Sequence, residues 1–249
     1  MVLKSFLRSL GSGGPTIDAV LDSDRVEVGG TLTGTLHIRG GDPDQVASKA
    51  TLDVVARVQK KMGDDEYSAD EVIAGIALPG PLPLGREHSL PFRIELPPHT
   101  PVTSFGGRNF VWLRSGLDVP WAIDPSDKDS LLVLPSRAQA NVLQAMEGLG
   151  FRLYKVDIDA RSSWLGRKWV QEFEFRPASH DRRRFDEIEL VFEGQRGDQL
   201  DLMVQLDRSA RGLGGMLMEL SGTDESWHRL TVDGASPQAA AAALGRLLA

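Results

Sequence analysis

The sequence predicts an all-β protein made of two β-sandwich domains in tandem, with short helices at the N-terminus, between the domains and at the C-terminus. Segments with alternating apolar and polar residues follow one another along most of the chain, and strand side chains point to opposite faces with a period of two. Turns containing glycine or proline separate these segments, whereas helical spacing is confined to three short stretches. Many short alternating strands without intervening helices favour a sandwich or a barrel.

The N-terminal residues 2–10 place apolar side chains at helical spacing and end at a glycine-rich run, residues 11–14. We expect a short amphipathic helix there, docked on its own domain, because isolated helices of this length are marginal in water. A membrane surface is the alternative, to which Lys4 and Arg8 would contribute only about 1 kcal/mol each.

The predicted first domain, residues 1–135, begins with strands whose apolar face runs through residues 26–38. Gly30 and Gly34 lie on that face, and the missing side chains indicate that a large neighbour packs closely. Alternation resumes over residues 46–58, with Val46 on the apolar face. A charged loop over residues 60–65 and a weaker strand ending near Leu78 follow, and residues 131–134 form the last strand.

The centre of this domain is a strand over residues 89–96, which points Phe92 and three other apolar side chains to one face. Three prolines within residues 97–101 end it, because proline fixes φ and lacks the N–H that a ladder needs. A second strand is predicted from residue 108 to about residue 123, interrupted by a bulge at Gly116.

The second half of the chain begins with a linker helix over residues 136–150, capped by Ser136 and terminated by a glycine. A second and smaller sandwich of about six strands is predicted over residues 151–235. An alanine-rich helix over residues 236–249 ends the chain. Since it has few large apolar side chains, we expect it to dock weakly or to fray.

Seven short motifs follow one another along the chain, at residues 28–34, 90–92, 116–118, 122–127, 149–153, 171–175 and 211–215. In this order and spacing they resemble the bacterial sporulation-control protein family, a branch of the arrestin-type β-sandwich proteins. The resemblance implies that each sandwich is arrestin-like, with immunoglobulin-like layers. It also implies a non-enzymatic regulator or scaffold that acts through protein partners in developmental or stress pathways.

Composition excludes several classes of function. The chain has 249 residues, a formal net charge of −7 and no cysteine, so disulfides and thiolate chemistry are excluded. The negative balance argues against a nucleic acid as the main partner. There is no apolar run long enough to span a bilayer and no visible secretory leader, which predicts a cytoplasmic protein without a transmembrane segment.

No motif in the sequence indicates catalysis or a cofactor. The five histidines lack the spacing of a metal site, and no nucleophile elbow or phosphate-binding loop is present. Asp124, Asp127 and Asp129 are better explained as turn-capping residues than as a calcium loop, because the EF-hand spacing is missing. Paired carboxylates for glycoside hydrolysis stay open, since folding assembles them without a sequence spacing. We therefore expect no enzyme, no cofactor and no metal.

The predicted function is partner capture, on a sheet edge or in the groove between the domains. The loop tip around Leu213 is expected to contact the first domain or a second copy of the chain, because apolar loop tips flanked by glycines are common anchors. The alternative is a plain hairpin turn in which the glycines supply positive φ. A carbohydrate- or small-ligand-binding sandwich is the alternative, with Trp164 and Trp227 as the exposed aromatic platforms. The candidate interface consists of Arg182, Arg183, Arg184, Arg211, Leu213, Gly214 and Met216.

Overall fold

The computed structural model describes residues 14–62, 65–105, 110–120, 124–160, 169–179, 185–207 and 225–248. Within these ranges the chain forms thirteen strands and two helices, which confirms the all-β class. The predicted N-terminal helix over residues 2–10 and the predicted strand over residues 216–220 lie outside them. The helices are α1 (Arg137–Gly148) and α2 (Pro237–Leu248). The strands are β1 (Thr16–Leu21), β2 (Arg25–Glu27), β3 (Thr31–Arg39), β4 (Val46–Met62), β5 (Asp65–Pro83), β6 (His88–Glu95), β7 (Val111–Asp118), β8 (Ser126–Leu134), β9 (Phe151–Asp159), β10 (Val170–Pro177), β11 (Glu187–Arg196), β12 (Gln199–Asp207) and β13 (Glu225–Asp233).

The smaller sheet is antiparallel and has the strand order β1-β3-β6. Alternate residues of β3 are buried, and the predicted close neighbour of Gly34 is the ring of Phe92 on β6. A Cβ atom on Gly34 would lie 2.8 Å from Cζ of Phe92. The absent side chain at residue 34 therefore makes room for the largest side chain on the adjacent strand.

The larger sheet has the strand order β13-β12-β11-β10-β9-β4-β7-β8-β2, with β5 paired to the other side of β4. Its two halves meet where β4 and β9 run parallel, at the pair Gln59 and Asp159. The Ala160 amide donates to the Gln59 carbonyl at 2.8 Å beside that pair. Buried apolar side chains from both halves belong to one continuous cluster. The division of the chain at residues 136–150 stays a prediction.

The predicted cap of the linker helix is confirmed. The backbone N–H of Gln139 donates to Ser136 Oγ at 3.1 Å, and the backbone N–H of Ser136 donates to Gln139 Oε1 at 3.1 Å. This reciprocal pair is a capping box, which satisfies two amides that the helix leaves unbonded. Gly150 follows the helix with φ of +84°, as a left-handed terminator requires.

Three predictions for the first half were wrong. β7 ends at Asp118 instead of near residue 123, and Gly116 forms no bulge, because its pairing with β4 is in unbroken register. The glycine instead leaves space for Thr51, whose Oγ1 would lie 3.1 Å from an added Cβ. Val46 is 45% exposed and Ala47 is buried, because the β4–β5 register shifts between Ala47 and Lys49.

The predicted charged loop over residues 60–65 is mostly strand, since β4 extends to Met62 and β5 begins at Asp65. Cross-strand ion pairs make this extension compatible with the charges. Lys60 binds Glu71 at 2.6 Å and Arg57 binds Asp70 at 3.0 Å. Charge density in the sequence was therefore a sign of paired strand residues, and a loop was the wrong interpretation.

The C-terminal helix does not fray, contrary to the prediction. Leu244 and Ala240 are fully buried, and α2 packs against α1 and β13. Small alanine side chains allow close approach between helices, so one leucine surrounded by alanines is enough to dock this element. The two helices lie on the half of the large sheet formed by β9 to β13, whose described strands form a single layer.

Candidate functional site

The candidate interface predicted from the sequence lies outside the described residues. This applies to Arg182, Arg183 and Arg184, and equally to Arg211, Leu213, Gly214 and Met216. Whether these residues form an interface stays a prediction. Of the two proposed aromatic platforms, Trp164 also lies outside the described ranges, and Trp227 on β13 is partly buried.

In a different region, the proline-rich loop after β6 packs against β10 and β11 and is fixed there by hydrogen bonds and aromatic contacts. Gln171 on β10 binds the backbone of Val102 with both ends of its amide. Oε1 accepts from the Val102 N–H at 2.8 Å, and Nε2 donates to the Val102 carbonyl at 2.7 Å. Since Val102 is 2% exposed, its backbone would have no water to replace these bonds.

The same loop is held from its other side by β8. The Thr103 amide donates to the Val133 carbonyl at 2.9 Å, and the Val133 amide donates to Thr103 Oγ1 at 2.9 Å. The loop after β6 therefore bridges the first half of the chain to β10 of the second half. The sequence analysis did not identify Gln171 as the residue that holds this loop, because a single glutamine on a strand gives no information about a backbone partner 69 residues away.

Aromatic contacts line the loop where it faces β10 and β11. The rings of His99 and Trp169 are 5.3 Å apart at their centroids. Phe173 makes edge contacts with Phe105 at 5.9 Å and with Phe192 at 5.4 Å. Such tilted and edge-on arrangements are the favoured ones for aromatic pairs. These rings form an apolar wall next to the hydrogen bonds between Gln171 and Val102.

A cavity of about 220 Å³ opens beside this wall, and we call it the junction cavity. It lies between the loop after β6, the first turn of α1 and the end of β11. The β11–β12 register shifts between Phe192 and Gly194, so Glu193 is an extra residue at the cavity wall. The lining residues are Pro98, His99, Gln139, Phe192, Glu193, Gly194, Gln195 and Arg196.

The polar groups around the junction cavity are mostly paired. Ser136 Oγ donates to Gln195 Oε1 at 2.8 Å, and Gln195 Nε2 donates to the Gly197 carbonyl at 2.9 Å. The Glu193 carboxylate pairs with Arg229 at 2.7 Å. Arg196 pairs with Asp201 at 3.0 Å and is otherwise exposed. The wall is therefore pre-organised by hydrogen bonds that do not require a ligand.

A second feature with the properties of an interaction site is the outer edge of β5. This strand hydrogen-bonds to β4 along one side, and no strand of the described part of the chain pairs with its other side. Tyr67 and Val72 on β5 are 47% and 51% exposed. An unpaired edge offers N–H and C=O groups to an added strand.

The outer face of the first-half sheet carries a buried tryptophan. Trp112 on β7 is enclosed by Arg57 and Lys128, whose cationic groups lie 5.4 and 5.2 Å from its ring centroid. Trp112 lies on the face opposite to the fully buried Leu113. It is thus a covered cation–π centre and not an open platform for a sugar.

Two pairs of acidic side chains hydrogen-bond to each other. Burial, followed by the hydrogen bond that protonated Glu174 donates to Glu187, raises the pKa of Glu174 to about 7. Burial, followed by the charge of Asp127, raises the pKa of Asp18. Carboxyl groups in hydrogen-bond contact are closer than the roughly 5 Å or more that separates the pair in a glycosidase. Neither pair has the geometry of that reaction.

Within the part of the chain that the structure describes, histidines and acidic residues are held by local contacts. The described ranges contain no cluster of three or more residues able to hold a metal ion. His37 Nδ1 lies 3.1 Å from Ser89 Oγ, and His88 Nε2 lies 2.7 Å from the Pro83 carbonyl. Asp124 caps a turn, as expected, by accepting from the Val119 amide at 3.0 Å.

The fold and these sites define an arrestin-like β-sandwich protein, whose two most developed surfaces are an edge strand and a cavity. The family model described as SpoOM protein matches residues 3–210, and the chain belongs to this family. The sporulation-control protein spo0M of Bacillus subtilis (strain 168) is 34% identical over 231 residues, which are 91% of this chain and 88% of that protein. The crystal structure of Spo0M, sporulation control protein, from Bacillus subtilis matches with a TM-score of 0.81 at 32% identity, covering 95% of this chain and 98% of that one.

The resemblance stated from the sequence motifs is therefore confirmed, as is the arrestin-like fold class. Among the described helices, neither is long and apolar enough to cross a membrane.

Proposed function

We propose that this chain is a non-enzymatic, cytoplasmic regulator that acts by binding protein partners in sporulation or a related developmental or stress pathway. The names of its relatives support a regulatory role, since they are sporulation-control proteins. The single observation that supports the mechanism is the unpaired outer edge of β5. A strand edge of this kind binds an extended partner segment through main-chain hydrogen bonds.

The part of the β5 edge that can hydrogen-bond with an added strand is the part before its prolines. β5 contains Pro79, Pro81 and Pro83, which have no N–H to donate to an added strand. The segment from Tyr67 to Leu78 has no proline. A partner strand is therefore expected to pair along residues 67–78 and to cover the exposed Tyr67 and Val72.

The charge of the edge indicates the composition of the partner. β5 carries Asp65, Glu66, Asp70 and Glu71 and no lysine or arginine. Asp70 and Glu71 already pair with cations on β4, so the attraction is moderate. Complementary potentials steer association and fix the register of a bound segment. The proposed partner segment is extended and has basic residues near the β4–β5 hairpin.

The test is a site-specific photo-crosslinker placed at Tyr67 or at Val20 in the cell from which the protein comes. Val20 on β1 is 51% exposed, equal to Val72, so it controls for exposure on a different strand. We expect a protein adduct from position 67 and none from position 20. The adduct should disappear in the Val72→Lys background, because a lysine on this edge would repel the basic partner segment.

Adducts of equal yield from both positions, or adducts unaffected by Val72→Lys, would contradict the assignment of the β5 edge. A turnover activity that is lost on a single carboxylate substitution would contradict the non-enzymatic part of the proposal. A second copy of this chain as the adduct would identify the partner as self and support a homo-oligomer.

A further inference from the structure

We propose that the junction cavity is a binding site for a small monocarboxylate with an apolar body, such as a short-chain or aromatic acid. This site is separate from the β5 edge and goes beyond the regulatory function proposed above. Four properties of the cavity lead to the proposal: a side-chain donor without a partner among the described residues, the positive end of a helix, an apolar wall and a small volume.

The donor without a partner is Nε2, the side-chain amide nitrogen of Gln139. This side chain is 3% exposed and lines the cavity. Its Oε1 accepts from the Ser136 amide in the capping box, which fixes the orientation of the whole amide group. Nε2 then carries two N–H groups with no hydrogen-bond partner among the described residues. Since Gln139 lines the cavity, these N–H groups can donate to an oxygen of a ligand bound there.

The surrounding charge favours an anionic oxygen. Gln139 is the third residue of α1, a twelve-residue helix, so the cavity lies at the positive end of the helix dipole. Arg196 stands at the rim with a 73% exposed side chain. The charge of Glu193 is compensated by its ion pair with Arg229 at 2.7 Å. The charge of Arg196 is likewise compensated by Asp201 at 3.0 Å, so a carboxylate would meet an amide donor and the N-terminus of α1, with this ion pair at the rim.

The rest of the cavity accepts an apolar body. Pro98 and Phe192 line it, and Phe192 is held by its edge contact with Phe173 at 5.4 Å. Gly194 has no side chain there, and a Cβ at that position would come no closer than 3.7 Å to a neighbouring side chain. Residue 194 therefore adds no side chain to this wall.

The volume limits the size of the ligand. A cavity of about 220 Å³ corresponds to roughly seven water volumes. That is below the range of about 300–1,000 Å³ that drug-sized ligands occupy. A single aromatic ring or a short aliphatic chain with one carboxylate fits, whereas an oligosaccharide or a nucleotide does not.

The experiment uses the full-length chain and two acids, benzoate and hexanoate, with benzamide as the neutral match to benzoate. Binding is measured by saturation-transfer NMR and located by amide chemical-shift changes in the ¹⁵N-labelled protein. We expect affinities in the millimolar range or better. The largest shifts should fall on Gln139, Gly194 and Gln195, which line the cavity.

The decisive variant is Gln139→Glu. Glutamate is as good as glutamine at the third position of a capping box, so the helix cap is retained. The donor nitrogen is replaced by an anionic oxygen, which should weaken acid binding by about tenfold or more. Gln144→Glu makes the same charge change at an exposed position of α1 and should leave binding unchanged.

Absence of saturation transfer to both acids, or equal binding by the Gln139→Glu and Gln144→Glu variants, would overturn the proposal. So would shifts that map elsewhere in the parent protein. The shift map in the parent protein decides the question even if Gln139→Glu does not fold. Failure here leaves the β5 edge proposal intact, because its readout is a crosslink at Tyr67.

Discussion

The ring of Phe92 fills the space that Gly34 leaves on the neighbouring strand. The two residues are cross-strand partners of β3 and β6, and a Cβ on Gly34 would lie 2.8 Å from Cζ of Phe92. Phe92 is 6% exposed, so the contact is part of the core of the small sheet. Strand-period reasoning placed each residue on the apolar face of its strand, but it did not predict that the two strands pair or that Phe92 is the neighbour of Gly34.

Gly34→Ala is expected to destabilise the protein by about 1–3 kcal/mol, since the added methyl group overpacks a filled space. The backbone carbonyl of Val20 also lies too close to the new Cβ. The free energy of unfolding in urea measures the effect. Gly148→Ala is the control, because a Cβ there meets nothing within 4 Å. Equal stability of the two variants would contradict the packing.

Phe92→Ala should cost about 3–5 kcal/mol, from lost burial of the ring and the cavity it leaves. The same urea measurement applies. Phe110→Ala is the matched control, because that ring is 54% exposed. A loss below about 1 kcal/mol for Phe92→Ala would mean that the ring does not lie in a packed core.

Gln171→Leu should loosen the loop after β6. The substitution keeps the approximate volume but leaves the buried N–H and C=O of Val102 unpaired, which costs about 1–3 kcal/mol for each unsatisfied group. Amide hydrogen exchange at Val102 should accelerate relative to the parent protein. Gln45→Leu, in a turn of the first half, serves as the control. Unchanged exchange at Val102 would show that the loop is held by other contacts.

The raised pKa of Glu174 makes stability depend on pH. Its folded-state pKa of about 7 lies above the ordinary value of 4.5, so the folded state binds a proton that the unfolded state has already lost. Stability should therefore fall as pH rises from about 4.5 to about 7. In Glu174→Gln this part of the dependence should be missing, and the urea midpoints of the two proteins should diverge most above pH 7. Parallel pH profiles for parent and variant would contradict the burial argument.

A fragment of residues 136–249 is expected to fold without the first half. Helix α1 packs against α2 and β9, so it belongs structurally with the second half of the chain. Dispersed amide resonances in the ¹H–¹⁵N spectrum of the fragment would support the proposed division. A collapsed spectrum would mean that the two halves form one cooperative unit.

The sequence was most informative where a residue's partner is defined by period two or by a local cap. The burial of Phe92 and the capping by Ser136 follow from rules that act within a few residues, and both were predicted. The Val46 face was missed because a register shift in a paired strand depends on the partner strand, which the local pattern does not contain.

The candidate site was less predictable. Gln171 binds the backbone of Val102, which lies in a distant segment of the sequence. Gln139 lines a cavity that exists only after folding. The start of β5 was predicted as part of a charged loop, because the ion pairs between β4 and β5 cannot be recognised before the pairing of these strands is known. Partner capture on a sheet edge stays a prediction, and the sequence analysis did not single out β5 or its residues for it.

The parallel pair of Gln59 and Asp159 gives the molecule a mechanical property. Through this single contact the hydrogen-bonded ladder continues from β5 to β13, so the two halves of the chain share one sheet. The Gln171 side chain, which binds the Val102 backbone with both ends of its amide, joins the same two halves at a second place. A twist of one half against the other would have to break hydrogen bonds at both places, so the two connections together resist that motion.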